Sequence, residues 1–368
     1  MKREACAVVL EEFNNPFRVK SFTLPEVKKG CALVKVEFGG ICGTDGHLQQ
    51  GKLPIPLPII LGHEAVGIIA ELGEGVTQDV TGNPIAAGDR VLWASSIPCG
   101  QCYWCKIVRE RNLCATRKVY GINQPADKWP FISGSWGEYA YLQEGSCIIK
   151  VPEGLSGEDV IALGCAGPTA VNGVIYNTQV RLGDTVVVQG SGPVGVAAAI
   201  YARICGAKKI IMVGGPANRL KVAKDMGIAD VTFDIFTMTD GAERIKSVLA
   251  ETTDNRGADV CLECTGTPAA VPEGFEMVRR KAHYLVLGQY TDKGSTPINP
   301  HVITRKELIV TGSWARAEVH DVKYVESLPE IKKRINLGSL VTSFAMKDIN
   351  EAVESVRAGK VIKAALKF

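Results

Sequence analysis

The stretch DTVVVQGSGPVGVAAAIYARICGA, residues 184–207, decides the fold class of this chain. A continuous apolar run leads into a turn with glycines at Gly190, Gly192 and Gly195, and a helix-length segment follows the turn. Backbone amides at a helix N-terminus can hold a pyrophosphate, and a side chain at Gly192 would block its approach. The pattern therefore predicts a dinucleotide-binding turn between a strand and a helix; the alternative is a glycine-rich turn without a ligand.

The next strand, KKIIMVGG (residues 208–215), bears on the choice of dinucleotide. A carboxylate at its end would bind the ribose 2′-hydroxyl of NAD, but this position carries Gly214. Arg219 lies a few residues further on, where a cation could meet the 2′-phosphate of NADP. The sequence leaves NAD and NADP open with a slight preference for NADP, and an ordinary solvated arginine is the alternative for Arg219.

The remainder of the chain shows two different patterns of apolar residues. From about residue 167, continuous apolar runs such as HYLVLGQ alternate with helix-length stretches, which is typical of a parallel sheet covered on both faces. The first 160 or so residues are punctuated by glycine and proline and contain short β-branched runs such as ALVKVEF, which indicates a β-rich domain. We therefore predict an α/β protein, and its tail predicts a helix that ends at Gly359 and a strand after it.

Length and composition exclude several classes of protein. A chain of 368 residues exceeds what one hydrophobic core usually organises, so we expect two domains. The formal charge of +3 is spread over interspersed acidic and basic residues, so we expect no nucleic-acid partner and no membrane partner. The first apolar run ends at Leu10, too short for a secretion signal, which predicts a cytoplasmic protein. There, twelve cysteines favour metal binding or catalysis over disulfides.

Four of these cysteines, Cys99, Cys102, Cys105 and Cys114, lie within PCGQCYWCKIVRERNLC (residues 98–114). Four thiolates at this spacing can converge on Zn²⁺ and leave no position for water or substrate. A closed site of this kind stabilises structure and performs no chemistry. Free, packed thiols are the alternative.

A second set of candidate ligands is scattered through glycine-flanked loops. They are Cys42 in GGICGTDGH, His63 with Glu64 in LGHEAVG, and Cys165 in LGCAGPTA. Two thiolates and one imidazole would hold zinc with a fourth position left for water or an alkoxide, and zinc would lower the pKa of a coordinated alcohol. Because about a hundred residues separate His63 from Cys165, spacing alone does not prove that these side chains meet.

Together the motifs resemble those of the zinc-dependent alcohol dehydrogenases of the medium-chain dehydrogenase/reductase superfamily, over essentially the full chain. GHEAVGIIAELGEGV is similar to the family's zinc signature, GICGTD to its first-ligand loop, the four-cysteine lobe to its structural zinc site, and GSGPVG, with Pro193 and Val194, to its coenzyme turn. The resemblance implies a GroES-like catalytic domain over residues 1–166 and 313–368 and a Rossmann NAD(P)-binding domain over residues 167–312. It also implies two zinc ions per chain and a homodimer or homotetramer.

The resemblance further implies roles around the catalytic zinc. Cys42, His63 and Cys165 match its ligands, and Glu64 matches the acidic neighbour that can approach the metal. Asp45 matches a carboxylate that orients the zinc-bound histidine.

Three more side chains match family positions. Thr44 matches the hydroxyl that takes the substrate proton, His47 a relay that passes the proton to solvent, and Lys363 a basic residue that contacts the coenzyme pyrophosphate. The alternatives are a turn-forming threonine, a relay that is bypassed and a solvated lysine.

The activity that the resemblance implies is reversible hydride transfer between NAD(P) and an alcohol/carbonyl pair, with zinc polarising the oxygen. The segment 117–139, with Tyr120, Trp129 and Phe131, could wall a pocket for a secondary or cyclic alcohol, and a surface loop packed on its own aromatics is the alternative. Two competing functions are a zinc-stabilised nucleotide-binding scaffold or regulator and a metal-independent quinone or enone reductase. The complete set of open-site ligands argues against both.

Overall fold

The structure, a computed structural model, describes residues 3–368. The chain divides into two compact units: the part up to Cys165 together with Ala317–Phe368, and Ala166–Arg316. The family resemblance predicts domain boundaries after residues 166 and 312. The segment that follows residue 312 is tied to the second unit, because the Asn172 side-chain amide donates to the carbonyl oxygens of Trp314 and Ala315 at 3.4 and 2.9 Å.

The first unit is rich in short strands. With elements numbered in chain order over both units, its strands are β1 (Glu4–Leu10), β2 (Arg18–Thr23), β3 (Ala32–Ile41), β4 (Ile59–Ile60), β5 (Ala65–Leu72), β6 (Arg90–Trp93), β7 (Ser96–Ile97), β8 (Lys118–Val119), β9 (Tyr139–Leu142), β10 (Ile148–Lys150), β17 (Val341–Phe344) and β18 (Lys363–Lys367). Its helices are α1 (Gly43–Gln49), α2 (Gly157–Ile161), α9 (Glu318–Lys332) and α10 (Ile349–Arg357), with shorter helical turns at Trp104–Val108, Arg111–Leu113, Leu337–Leu340 and Met346–Asp348.

These strands form a seven-stranded sheet in the order β10-β6-β5-β3-β18-β17 with β9 also paired to β3, a three-stranded sheet β2-β1-β4 and a β7-β8 pair. Strand β3 is the centre of the unit because both of its faces are covered. Leu33 and Ile41 pack into one apolar cluster, whereas Val34 and Val36 pack into another. Successive side chains of a strand point to opposite faces, which explains the continuous apolar reading of ALVKVEF.

The second unit is a sheet with helices. Its strands are β11 (Thr185–Gln189), β12 (Lys209–Gly214), β13 (Val231–Asp234), β14 (Ala258–Glu263), β15 (Val278–Val286) and β16 (Ile309–Gly312), all paired in parallel in the order β13-β12-β11-β14-β15-β16. Its helices are α3 (Ala166–Ala170), α4 (Pro193–Ile204), α5 (Ala217–Asp225), α6 (Gly241–Ala250), α7 (Ala270–Met277) and α8 (Pro300–Lys306), with helical turns at Val171–Tyr176 and Thr253–Asn255.

This strand order reverses direction next to β11, as in a doubly wound Rossmann sheet. The α/β prediction is confirmed, and so is the predicted tail, in which α10 ends at Arg357 and β18 follows. No helix within residues 3–368 is long and apolar enough to cross a membrane.

Candidate functional site

Four side chains of the first unit form a compact donor cluster: Cys42, His63, Glu64 and Cys165 each place one ligand atom within 4.8 Å of the others. Cys42 Sγ lies 3.3 Å from His63 Nε2. Since Zn²⁺ binds sulfur and nitrogen at about 2.0–2.3 Å, separations of this size suit ligands that surround one ion. The structure thus brings together the three ligands that sequence analysis named, although they are far apart in the chain.

The register of the large sheet explains why the cluster forms. Cys42 directly follows β3, and Glu64 directly precedes β5. Within the sheet Gly39 of β3 pairs with Ala65 of β5, so the end of one strand is held beside the beginning of the other. The fourth member, Cys165, is held by its backbone N–H, which donates to Glu64 Oε2 at 2.6 Å.

Asp45 links two of the ligand loops. It is fully buried in the first turn of α1, and its Oδ2 accepts from the backbone N–H of Cys42 at 2.8 Å. Its Oδ1 lies 3.5 Å from His63 Nδ1, which leaves Nε2 directed at the cluster. Burial opposes the charged imidazole, but the Asp45 carboxylate and the Cys165 sulfur together outweigh it and raise the pKa of His63 above its usual value. This geometry is the one expected of a carboxylate that orients a metal-binding histidine, and that role of Asp45 stays a prediction.

Glu64 and Lys363 form a buried ion pair beside the cluster. Their side chains are 1% and 2% exposed, and Lys363 Nζ donates to Glu64 Oε2. Burial works against the charge of Glu64, but Lys363 overcomes it and lowers the pKa of the carboxyl. Within the described residues, Glu64 Oε1 is buried without a hydrogen-bond partner. Such an orphaned oxygen among two sulfurs and an imidazole fits a Zn²⁺ site.

Lys363 thus has a partner that sequence analysis did not anticipate. The coenzyme contact that the resemblance implies stays a prediction, and the observed partner of the ammonium is the carboxylate of Glu64. Glycine is required next to this pair: Gly164 has φ +44°, and a Cβ there would lie 1.6 Å from Glu64 Oε2. The glycine-flanked ligand loops therefore make room for a buried charge pair.

Thr44 and His47 both lie on α1, which begins immediately after Cys42. Both residues are half-buried. The helix therefore starts at a candidate ligand and carries both candidate proton-transfer groups within its seven residues. Their roles in proton transfer stay predictions.

The four-cysteine lobe forms a second cluster, with the sulfur atoms of Cys99, Cys102, Cys105 and Cys114 within 4.8 Å of one another. The Sγ atoms of Cys102 and Cys105 are 3.5 Å apart, too far for a disulfide. The backbone N–H groups of Cys102 and Cys99 approach the sulfurs of Cys99 and Cys114, each at 3.4 Å. Together with donation from the Gln101 backbone, which contributes most, such contacts lower the pKa of the Cys99 thiol to about 6. Four sulfurs, with no fifth metal-ligand candidate beside them among residues 3–368, fit a closed structural zinc site.

In the second unit, the glycine turn joins β11 to α4 as predicted. Gly190 has φ +109°, and a Cβ on Gly195 would lie 1.9 Å from the Gly190 carbonyl oxygen, so both positions require glycine for close packing. Gly192 is different, because the nearest atom to a Cβ there is Arg219 Nη1 at 3.8 Å. Gly192 is the N-cap of α4, and Pro193 is its first residue. Free amides of a first helical turn can bind a pyrophosphate.

The end of β12 is packed against this turn. The Ser191 hydroxyl accepts from the backbone N–H of Gly215 at 3.0 Å and donates to its carbonyl oxygen at 2.9 Å. A Cβ on Gly214 would lie 2.7 Å from Ser191 N, so a carboxylate at this position would require the turn to move. Arg219 is half-buried, and burial lowers the pKa of its guanidinium. The position where an NAD-type site would carry an acid is thus occupied by a tightly packed glycine, and the Arg219 guanidinium lies beside Gly192 of the neighbouring turn.

Glu263 is a residue that sequence analysis missed. It is fully buried at the end of β14, and its Oε1 accepts from Thr265 N, Thr265 Oγ1 and Gly266 N at 2.6–2.9 Å. Its Oε2 accepts from Gly288 N at 3.3 Å. The carboxylate thereby holds the loops after β14 and β15 at the edge of the sheet that carries the glycine turn. The sequence signal that could have identified Glu263 is its place as an acid at the end of the otherwise apolar strand β14.

The aromatic segment 117–139 does not form a single wall. Tyr120 is 2% exposed, and its hydroxyl lies 2.6 Å from Ser146 Oγ, so the expectation that it lines a pocket is wrong: its side chain belongs to the core. Trp129 is 43% exposed and packs edge-on against Tyr141 with ring centroids 5.3 Å apart. Phe131 is 36% exposed. The loop is thus anchored by one ring and presents two others at its surface.

Comparisons with known proteins agree with these features. Residues 28–153 match the family described as alcohol dehydrogenase GroES-like domain, and residues 193–331 match the family described as zinc-binding dehydrogenase. The 5-exo-hydroxycamphor dehydrogenase of Pseudomonas putida is 34% identical, with 98% of this chain and 97% of that protein covered.

Solved structures give the same picture. An alcohol dehydrogenase from Thermotoga maritima has 35% identity and a TM-score of 0.93, with 99% of both chains covered. A protein from Sinorhizobium meliloti 1021, described as a zinc-binding dehydrogenase and solved with NADP bound, has 25% identity and a TM-score of 0.86, with 100% of both chains covered.

Proposed function

Because this chain belongs to the zinc-dependent alcohol dehydrogenase family, oxidoreductases that act on CH–OH groups with NAD(P), we propose that it interconverts a secondary or cyclic alcohol and its ketone. The observation that carries the proposal is the cluster of Cys42, His63 and Cys165, with the orphaned oxygen of Glu64 beside it. A closed structural site needs no such mixed donor set, and neither does a scaffold.

Six side chains of the first unit have a part in the proposed activity. Cys42, His63 and Cys165 hold Zn²⁺, and when bound the ion supplies the Lewis acid that lowers the pKa of an alcohol. Asp45 keeps the His63 ring in the orientation that binding requires. The hydroxyl of Thr44 accepts the substrate proton, and His47 passes it to solvent.

In the second unit, the first-turn amides of α4 after Gly192 bind the coenzyme pyrophosphate. Glu263 keeps the neighbouring loops in place through its hydrogen bonds to Thr265, Gly266 and Gly288. Pro193 and Val194 begin the helix, where proline is pre-organised for the first position.

The substrate class can be tested with matched alcohols. The similarity to a hydroxycamphor dehydrogenase, whose named substrate is a bicyclic secondary alcohol, supports a bulky substrate. We expect kcat/KM for borneol and cyclohexanol to exceed that for ethanol by at least about tenfold, since each added methylene in an apolar pocket contributes roughly 1 kcal/mol or more. Nicotinamide absorbance measures the rates. A preference for linear primary alcohols over both cyclic ones would contradict the proposed substrate class while leaving the zinc assignment intact.

The coenzyme is proposed to be NADP. Its support is Gly214 in place of an acid, the position of Arg219 beside the turn, and a similar protein that was solved with NADP. We expect Arg219→Ala to weaken NADPH binding about 10- to 100-fold, because a charge-assisted contact contributes about 1.5–3 kcal/mol, and to leave NADH binding nearly unchanged. Fluorescence titration with each coenzyme measures the dissociation constants.

The control for this prediction is Arg219→Lys, which keeps the positive charge and should retain part of the preference. Equal weakening of NADH and NADPH in Arg219→Ala, or tighter binding of NADH by the unaltered protein, would show that Arg219 does not select a 2′-phosphate.

We further propose that the protein works in the cytoplasm as a homodimer or homotetramer. Two clusters that need reduced thiolates support a reducing compartment. The oligomeric state is inferred from family membership.

A further inference from the structure

A cavity of about 370 Å³ opens at the edge of the second unit. It lies where β14 and β15 begin, because Arg256 precedes β14 and Arg280 is near the start of β15. The glycine turn follows the opposite, carboxyl end of β11, and all these strands are parallel. The cavity is therefore separate from the nucleotide turn. Its polar lining is Asn255, Arg256, Arg280, His301, Arg305 and Lys306, with one acid, Glu276.

The charges of this lining do not balance. Glu276 pairs with Lys306 at 3.2 Å, and Lys306 also donates to the carbonyl oxygens of Phe275 and Val278. Within the part of the chain that the structure describes, the guanidinium groups of Arg256, Arg280 and Arg305 make neither an ion pair nor a hydrogen bond. All three arginines are exposed, and because Glu276 is already paired, the described residues that line the cavity include no unpaired acid.

Three other arginines of the same unit are paired with acids. Arg203, Arg244 and Arg279 each pair with a carboxylate at 2.5–2.6 Å. Arg279 allows a direct comparison, because it lines an adjoining cavity of about 560 Å³ together with Arg256 and Arg280. Among the described residues that line this second cavity, Asp259 is the only acid, and it is paired with Arg279. Among the arginines that line these two adjoining cavities, Arg279 is therefore paired with an acid, whereas Arg256, Arg280 and Arg305 are not.

A multiply charged anion would satisfy this arrangement. Like charges that share a cavity repel one another, and the repulsion is relieved when an anion binds between them. Guanidinium groups match phosphate oxygens with paired N–H donors, and a cavity of this size holds a small ligand. We propose that the cavity binds a small molecule with two or more linked phosphate groups, at a site distinct from the coenzyme turn. The proposal does not depend on the proposed substrate or coenzyme.

Inorganic tripolyphosphate is the probe for this site, measured by isothermal titration calorimetry on the full, zinc-loaded protein with NADPH at saturation. We expect one site per chain with a dissociation constant that rises with ionic strength. The variant Arg256→Gln/Arg280→Gln/Arg305→Gln should weaken tripolyphosphate binding at least about tenfold, since three charge-assisted contacts are lost, while the NADPH dissociation constant stays the same.

A matched control removes three exposed positive charges from the other unit, in Lys29→Gln/Lys333→Gln/Lys347→Gln, and should bind tripolyphosphate as the unaltered protein does. The proposal is overturned if the unaltered protein does not bind the probe, or if both triple variants lose affinity equally. It is also overturned if tripolyphosphate binds only when NADPH is absent, which would place it at the coenzyme turn. If duplex DNA bound more tightly than tripolyphosphate, the ligand of the cavity would be a nucleic acid and not a small molecule, and the proposal would be overturned as well.

Discussion

Replacing Cys42 by alanine is expected to lower kcat/KM for the preferred alcohol by at least about a thousandfold, the consequence of losing roughly 4 kcal/mol of transition-state stabilisation. Cys42 Sγ lies 3.3 Å from His63 Nε2, so its loss removes one of the three ligands proposed for the catalytic zinc. Elemental analysis should find one zinc per chain instead of two. NADPH binding should persist, because the glycine turn belongs to a different unit.

The matched control for this variant is Cys6→Ala. Cys6 is a free, half-buried thiol on β1 that belongs to neither cysteine cluster. It should keep both zinc ions and nearly full activity. If Cys42→Ala kept near-normal turnover and two zinc ions per chain, Cys42 would not be a ligand of a catalytic zinc. If the variant lost its activity and its second unit also unfolded, the loss of activity would report on folding and not on the zinc site.

Replacing Cys102 by alanine is expected to destabilise the first unit by at least about 3 kcal/mol, because structural zinc sites contribute folding free energy directly. The lobe has little apolar core to replace the metal: Tyr103 and Ile107 are 62% and 69% exposed. Thermal unfolding should shift down by on the order of 10 °C. Zinc content should fall to one ion per chain.

The two zinc variants should differ in their other readouts. Cys102→Ala should keep much of its turnover per folded chain at low temperature, whereas Cys42→Ala should unfold close to the temperature of the unaltered protein. Limited proteolysis should cut Cys102→Ala within the lobe, residues 98–114. Tyr103→Ala, an exposed change in the same lobe, is the control and should resist cleavage. Unchanged zinc content and stability in Cys102→Ala would show that the four thiols merely pack.

Features that depend on neighbouring residues were readable from the sequence. The glycine turn from Gly190 to Gly195 and the four-cysteine lobe are each confined to a short segment, so local spacing alone places their donors close together. The alternation of apolar strands and helices after residue 167 likewise predicts a parallel sheet, because such strands are buried on both faces. These local rules determined the α/β class and the hypothesis of a structural zinc site, whereas the hypothesis of a catalytic zinc rested on donors in separate loops and on the family resemblance.

The convergence of Cys42, His63 and Cys165 was decided by tertiary structure. Spacing in sequence does not determine it, because the pairing of Gly39 with Ala65 brings the ligand loops together. Lys363 is 299 residues from Glu64, and only the position of β18 beside β3 gives that buried carboxylate its cation. Nothing in the local sequence distinguishes such a lysine from a solvated one.

Burial is the second property that only the folded chain decides. Tyr120, Trp129 and Phe131 share one loop, yet the first is in the core and the other two reach the surface. Arg256, Arg280 and Arg305 come from three separate segments and meet at one cavity. The sequence determined which chemical groups this protein carries and which local motifs they form. The tertiary structure decided which groups lose water and which charges are left without a partner, because burial and pairing depend on contacts between segments that lie far apart in the chain.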